Sequence, residues 1–215
     1  MSVMDYFVWG AKGHAKILNE IVQIKGGRVK AIFDSDNTLR NCINLDVRHG
    51  LDAYINWAAD IEIEKRLTIG ALVAIGGANG SDRHQYYQRF NSDGFLIPIL
   101  VHPAAWCSKT AEVGSGTQVC AFGFIGADAK VGEACIINTK SSVDHDSIIG
   151  NGVHLGPGAT VCGNVGIGDY TFIGSGSTVL PNLKIGKNCT VGAGAVVVNN
   201  LADNTKVKGV PAVAY

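Results

Sequence analysis

From Val113 onward an aliphatic residue stands at every sixth position without a break. The series is Val113, Val119, Ile125, Val131, Ile137, Val143, Ile149, Leu155, Val161, Ile167, Ile173, Val179, Ile185, Val191 and Val197. Nine of these fifteen are followed directly by glycine. Two positions before each the side chain is usually small, as at Ala111, Ala129, Ser141, Ala159, Ser177 and Ala195. A period of six fits neither an α-helix nor a coiled coil. It fits strands, whose side chains alternate with period two, but recurrent corner glycines would spoil an ordinary hairpin sheet. A triangular solenoid accommodates the whole pattern. Each six-residue unit forms one flat side and three sides close a coil. The aliphatic residue points into the prism, and glycine takes the crowded corner. Stacked coils pair as parallel strands ~4.8 Å apart, so five coils span roughly 24 Å.

The first hundred residues follow another rhythm. An apolar run at 6–9 leads into Gly10-Ala11-Lys12-Gly13-His14-Ala15-Lys16, and Ile17, Leu18, Ile21, Val22 and Ile24 then mark a helix face. A second strand over 29–33 ends in Asp34-Ser35-Asp36. A third over 71–75 ends in Gly76-Gly77-Ala78-Asn79-Gly80, with a helix over about 82–90 and an extended lead-in over 95–101. Alternating strands and helices predict a small doubly wound, Rossmann-like α/β domain over 1–100, followed by the prism and a C-terminal tail over 101–215.

Ligands of such sheets lie at the carboxyl ends of the strands, where three turns converge: 10–13, 34–36 and 76–80. A glycine-rich turn opening a helix can hold a phosphate on backbone N–H groups. An acid after the second strand can accept hydrogen bonds from a ribose or a base. The spacing is G-x-x-G, not G-x-G-x-x-G, so a dinucleotide site is not supported. Taken alone, these glycines serve equally well as plain strand-to-helix turns.

Composition narrows the choice. Hydrophobic residues make up 47% of the 215 and charged residues 17%, with zero formal net charge. No bulk electrostatic pull on a nucleic acid or an anionic membrane is expected. The 28 glycines exceed the usual share of about 7% because the repeat demands them. Met1-Ser2-Val3-Met4-Asp5 lacks the basic flank and apolar run of a signal peptide, and no apolar stretch approaches a membrane span. The six cysteines are scattered, with no CxxC, as reduced cysteines of a cytoplasmic protein would be.

The hexad pattern resembles the hexapeptide-repeat acyltransferases, whose parallel β-helix is left-handed. The Gly-Ala-x-Gly-His-Ala turn, the Ile-Phe-Asp-Ser-Asp strand end and Ile-Ile-Asn-Thr-x-x-x-Val-Asp-His-Asp together are similar to one subfamily. Its members are UDP-4-amino-sugar N-acetyltransferases and sialic acid O-acetyltransferases. The resemblance implies transfer of acetyl from acetyl-CoA, without a metal, to the amino group of a nucleotide-linked 4-amino-4,6-dideoxy sugar. It implies a homotrimer, with coenzyme A lying between prisms, in surface polysaccharide or glycan biosynthesis. It assigns Gly10, Gly13, His14, Asp34 and Asp36 to the nucleotide sugar. The Gly76-Gly77-Ala78-Asn79 turn departs from the family's Gly-Asp-Asn.

The repeat contains two histidines, His145 and His154. His145, flanked by Asp144 and Asp146, is out of character with a small, apolar corner, and departures from a local rule are where function is expected. An alkylammonium must lose a proton before its nitrogen attacks a thioester, and imidazole titrates nearest neutral pH. His145 is therefore the candidate general base and Asp146 its orienting acid, Asp144 being the alternative partner. One coil further on, Gly163 is the candidate N–H donor to the oxyanion. The resemblance places His154, Gly174, Ala193 and Gly194 along acetyl-CoA, and the 208–212 turn near its adenine end. Asn138, in place of a corner glycine, is a candidate contact for the sugar or its amine.

Three competitors remain. O-acetylation of a sialic acid would use the same pair. A zinc carbonic anhydrase on this prism needs three histidines, two of them in H-x-x-x-x-H, and the repeat lacks them. A non-catalytic scaffold would have no use for Asp144-His145-Asp146.

Overall fold

The computed structural model describes residues 3–214, so Met1 and Ser2, at the head of the segment searched for a signal peptide, lie outside it. The chain forms two compact units, Met1–Ile75 with Gln85–Pro98, and Gly76–His84 with Ile99–Tyr215.

In the first unit, β1 (Asp5–Trp9), α1 (Gly13–Ile24), β2 (Arg28–Asp34), β3 (Asn41–Cys42), β4 (Leu45–His49), α2 (Gly50–Ala59), α3 (Ile63–Arg66) and β5 (Ile69–Val73) follow in order. Helix α4 (Gly80–Ser92) comes next. The sheet order is β3-β4-β2-β1-β5. All pairings are parallel except the β3–β4 hairpin. Period-two alternation sends Phe7, Trp9 and Phe33 to one face. There they meet Tyr54 and Trp57 of α2 and Phe90 of α4, with the Phe7 ring 4.9 Å from that of Phe90 and 5.1 Å from that of Trp57. Helix α1 buries an aliphatic face of Leu18, Ile21 and Val22. Because β2 and β5 flank β1 on opposite sides, the order reverses at the carboxyl end of β1.

Several elements escape the sequence pattern. The predicted third strand is the fifth in the chain, and β3, β4, α2 and α3 lie before it. The hairpin strands are short and turn through Ile43 and Asn44 at positive φ. Helix α2 buries Tyr54 and Ala58 while Leu51 and Ile55 remain exposed, so it has no clean apolar stripe.

In the second unit two-residue strands stack into three sheets. The six-stranded face runs from Trp106–Cys107 through Ser142–Val143 to Val196–Val197. The five-stranded face runs from Glu112–Val113 to Lys184–Ile185. The eight-stranded face runs from Leu100–Val101 to Val213–Ala214. Ile125 pairs with Val143, Val143 with Val161, Val161 with Val179 and Val179 with Val197, which fixes the coil at 18 residues. The prism begins before Val113. Val101 and Cys107 occupy its first inward positions, so the predicted lead-in over 95–101 ends inside it.

The corner has two distinct requirements. Glycine directly after the inward residue answers to crowding: a Cβ on Gly126 would lie 2.8 Å from the His145 nitrogen, and one on Gly174 2.6 Å from that of Ala193. Two residues later the backbone turns left-handed at every unit from Gly116 to Gly194. Glycine, Asn and Asp fill most of these places, as that conformation favours. Inward hydroxyls and thiols then bond corner carbonyls, as with Thr117 Oγ1 to Gly132 O at 2.8 Å and Cys135 Sγ to Gly150 O at 3.1 Å. All six cysteines are free, and burial pushes the Cys120 thiol up to about 12.

Residues Gly76–His84 pack on the eight-stranded face. Arg83 is fully buried and donates from Nε to Ala134 O and from Nη2 to Gly152 O, both at 2.7 Å.

This register makes a stability prediction. Ile137 is wholly buried in the prism, so Ile137→Ala should lower unfolding free energy by about 2–5 kcal/mol. Lys130→Ala, on an outward exposed pair with Glu112, should cost less than about 1 kcal/mol. Chemical denaturation of both variants checks the order; equal losses would reject the inward assignment.

Candidate active site

His145 and Asp146 sit in the corner after Val143, with Asp146 in the left-handed conformation at φ 58°. Neighbouring coils clamp this turn. Asp146 N–H donates to Ala127 O at 3.0 Å, and Asn164 N–H donates to His145 O at 2.9 Å. His145 Nδ1 stands 2.7 Å from Asp146 Oδ2, so in the neutral ring the proton is on Nδ1 and Nε2 is bare. Nε2 points at Gly163, where a Cβ would come within 2.5 Å of it. Asp144 serves the backbone instead, its Oδ1 accepting the His145 N–H at 2.8 Å. The bond to Asp146, then the charge of Asp144, raises the imidazole pKa above its ordinary value.

Corner amides are often capped from the next coil. Asn151 Oδ1 accepts from Glu133 N–H, Asp169 Oδ1 from Asn151 N–H, and Asp203 Oδ1 from Lys187 N–H. Among the described residues the N–H of Gly163 has no such cap, which leaves it free to donate.

Asn138 and His154 also come together, with Asn138 Nδ2 3.2 Å from His154 Nε2 and His154 Nδ1 3.2 Å from Gly77 O. Gly174, Ala193 and Gly194 do not join His145. They lie at the corner between the eight- and six-stranded faces, whereas His145 lies at the opposite edge of the six-stranded face. The same corner carries Gly158 and Gly176, 36 and 18 residues before Gly194, at positive φ. A Cβ on Gly176 or Gly194 would meet nothing within 4 Å. Reading along the 18-residue row, rather than the six-residue unit, would have picked out all three.

In the first unit, Gly10 needs φ +100° and lies against Ala74, where a Cβ would be 3.0 Å from the carbonyl oxygen. Gly13 opens α1 with nothing within 4 Å of its missing Cβ, so space rather than strain surrounds it. His14 follows in the first turn. Asp34 is buried and holds the two turns together, accepting from Ala11 N–H at 2.7 Å and Asp36 N–H at 2.8 Å. Hydrogen bonds from Thr38, then Lys12, hold the Asp36 carboxyl down at about 2. Lys12 lies 3.1 Å from Asp36, a pairing the sequence does not signal because nothing marks a lysine between turn glycines as paired. Among the described residues no three His, Cys, Asp or Glu side chains group as a metal site, and no helix is long and apolar enough to cross a membrane.

A model of the bacterial transferase hexapeptide family (six repeats) matches residues 164–199. The chain is similar to PerB from Caulobacter crescentus in complex with CoA and GDP-perosamine. Identity is 32% over 100% of this chain and 98% of that one, with a TM-score of 0.89. It is similar to the acetyltransferase domain of PglB from Neisseria gonorrhoeae in complex with acetyl coenzyme A, with 30% identity, 100% of both chains covered and a TM-score of 0.86. A perosamine N-acetyltransferase from Caulobacter crescentus, with one histidine replaced by asparagine and CoA and GDP-perosamine bound, gives 31% identity. That match covers 100% of this chain and 98% of that chain, with a TM-score of 0.89.

The hydrogen-bond geometry assigns the two acids different effects on the imidazole. Asp146→Asn should bring the His145 pKa down toward its ordinary value, followed by NMR titration of the ring protons, and Asp144→Asn should move it less. The reverse order would make Asp144 the partner.

Proposed function

The chain belongs to the hexapeptide-repeat sugar acetyltransferases, and we propose that it acetylates the amino group of a nucleotide-linked 4-amino-4,6-dideoxy sugar with acetyl-CoA. One observation carries the reading: His145 Nε2 is bare, held by Asp146 on its far side, and faces the uncapped N–H of Gly163. The sugar ammonium gives one proton to solvent, and neutral Nε2 takes the second from the amine as its nitrogen attacks the thioester carbonyl. The Gly163 N–H donates to the oxyanion of the tetrahedral intermediate. Collapse expels the thiolate of coenzyme A, which takes the proton back from the imidazolium. Because the free base does the chemistry, activity rises with pH through the raised imidazole pKa. The turns carrying Gly10, Gly13, His14, Asp34 and Asp36 hold the nucleotide. The open corner at Gly174, Ala193 and Gly194, extended by Gly158 and Gly176, receives the pantetheine. Such co-substrates, with free cysteines, suit a cytoplasmic enzyme.

We infer a homotrimer. The base and the open corner lie at opposite edges of the six-stranded face, so one chain cannot supply both to one thioester. Two such edges from adjoining copies can. The same face also exposes apolar rings, with Trp106 63% and Phe124 39% accessible and paired across adjacent coils, and Phe122 63% accessible at its edge. Facing inward around a threefold axis buries them.

Acetyl-CoA is offered with a panel of nucleotide-linked 4-amino-4,6-dideoxy sugars, and thiol release is followed. Turnover of one of them is expected, with kcat lowered about 10²–10⁴-fold in His145→Ala. Turnover of free sialic acid alone would replace the reading with O-acetylation. For assembly, Trp106→Glu with Phe124→Glu should give monomers by sedimentation and lose activity together; an active monomer would refute the shared site.

A further inference from the structure

Of the two histidines in the repeat from Val113 onward, His154 is the one that this chemistry does not use. It projects outward from the eight-stranded face yet is only 7% accessible, beneath Gly77 and beside the Phe172 ring at 5.2 Å. Its protonation pattern follows from its partners. A carbonyl only accepts, so the Nδ1 facing Gly77 O carries the hydrogen. Asn138 is oriented in turn, because its Oδ1 accepts the Thr139 N–H at 2.8 Å, which leaves Nδ2 toward His154. His154 Nε2 therefore accepts from Nδ2, and both ring nitrogens are engaged within the chain. Asn138 stands where the coils above carry Gly156, Gly174 and Gly192, at the closed end of the open corner. One Nδ2 hydrogen remains uncommitted to these partners.

We propose that His154 is a positioning residue that acts through Asn138, fixing its amide so that one N–H faces the acyl end of the corner, and is not itself a ligand of acetyl-CoA. This rests on the proposed acetyl transfer and on the corner as the donor's groove. The positioning also ties the 77 carbonyl to the catalytic coil, since one imidazole holds both.

A double-mutant cycle tests it on the full-length enzyme, with His154→Phe, Asn138→Ala and the pair. A His154→Gln series runs in parallel in case the phenylalanine does not fold. Each single change should lower kcat roughly tenfold, the loss of about one hydrogen bond in the transition state, with the KM for acetyl-CoA unchanged. The double variant should be no worse than either single one. Glutamine, which keeps an acceptor and a donor, should recover part of the loss. Additive losses, or a rise in the KM for acetyl-CoA confined to the His154 variants, would overturn the proposal. So would failure of both His154 replacements to fold, which would leave the residue to the fold alone. Absence of turnover in the unmodified enzyme is a separate result, and it strikes the acetyl-transfer reading instead.

Discussion

Coil-on-coil pairing at an interval of 18 residues is the constraint on which everything else in the second unit depends. It is enforced twice in each unit. An inward aliphatic residue fills the prism, and a left-handed corner turns the chain through the same angle every time. The two devices cooperate, because a slip of one residue would expose every aliphatic side chain at once. The result is a lattice in which residues 18 apart share a row. Chemistry can then be installed by changing single corner residues without disturbing the walls.

The corner at His145 illustrates how this works. Elsewhere the residue before the left-handed position commonly lends its N–H to a capping side chain from the next coil. At Gly163 that cap is missing, and at His145 the N–H is taken by Asp144. The row therefore offers an imidazole below and a bare amide above, both outside the strands. Aspartate tolerates the left-handed backbone at 146, and that backbone holds its carboxylate beside Nδ1. A larger residue at 163 would push the ring aside. Glycine is needed at that one place to keep Nε2 open, a different reason from the crowding that demands it at Gly126 or Gly174.

The prism was legible because its period leaves a direct trace: one aliphatic residue per six. The pairing of His145 with Asp146 was legible for the same reason, since two charged residues in a small-residue corner break a rule that the other coils keep. The α/β unit was legible at β1, β2 and β5, which each hold an unbroken apolar run of three or more residues, and at α1, which carries one apolar face. It was not legible between residues 37 and 67, where β3 and β4 are two and five residues long and α2 buries an irregular set of side chains. The roles of Asp34 and Lys12 were hidden for another reason. A carboxylate that stitches two turns together and one open to solvent look identical in a sequence. Only geometry reveals that Asp34 is already engaged by Ala11 and Asp36.

The proposed sharing of the site, with half-sites at two edges of one face, has a consequence for assembly. Contacts between unlike edges are heterologous, and such contacts either close into rings or run on as filaments. The cross-section of the prism decides between these. In the proposed homotrimer three flat faces turned inward enclose a triangle, each copy following its neighbour by a third of a turn, and the ring closes at three. Coils of parallel prisms lie at matching heights in that arrangement. The corner opposite His145 and Gly163 on the neighbour is then the one spanning Lys140 and Gly158, where the row changes from a side chain to open glycine. In the proposed assembly the depth at which base and N–H donor sit is thus the depth at which the proposed groove ends, and a thioester would be stopped there for attack.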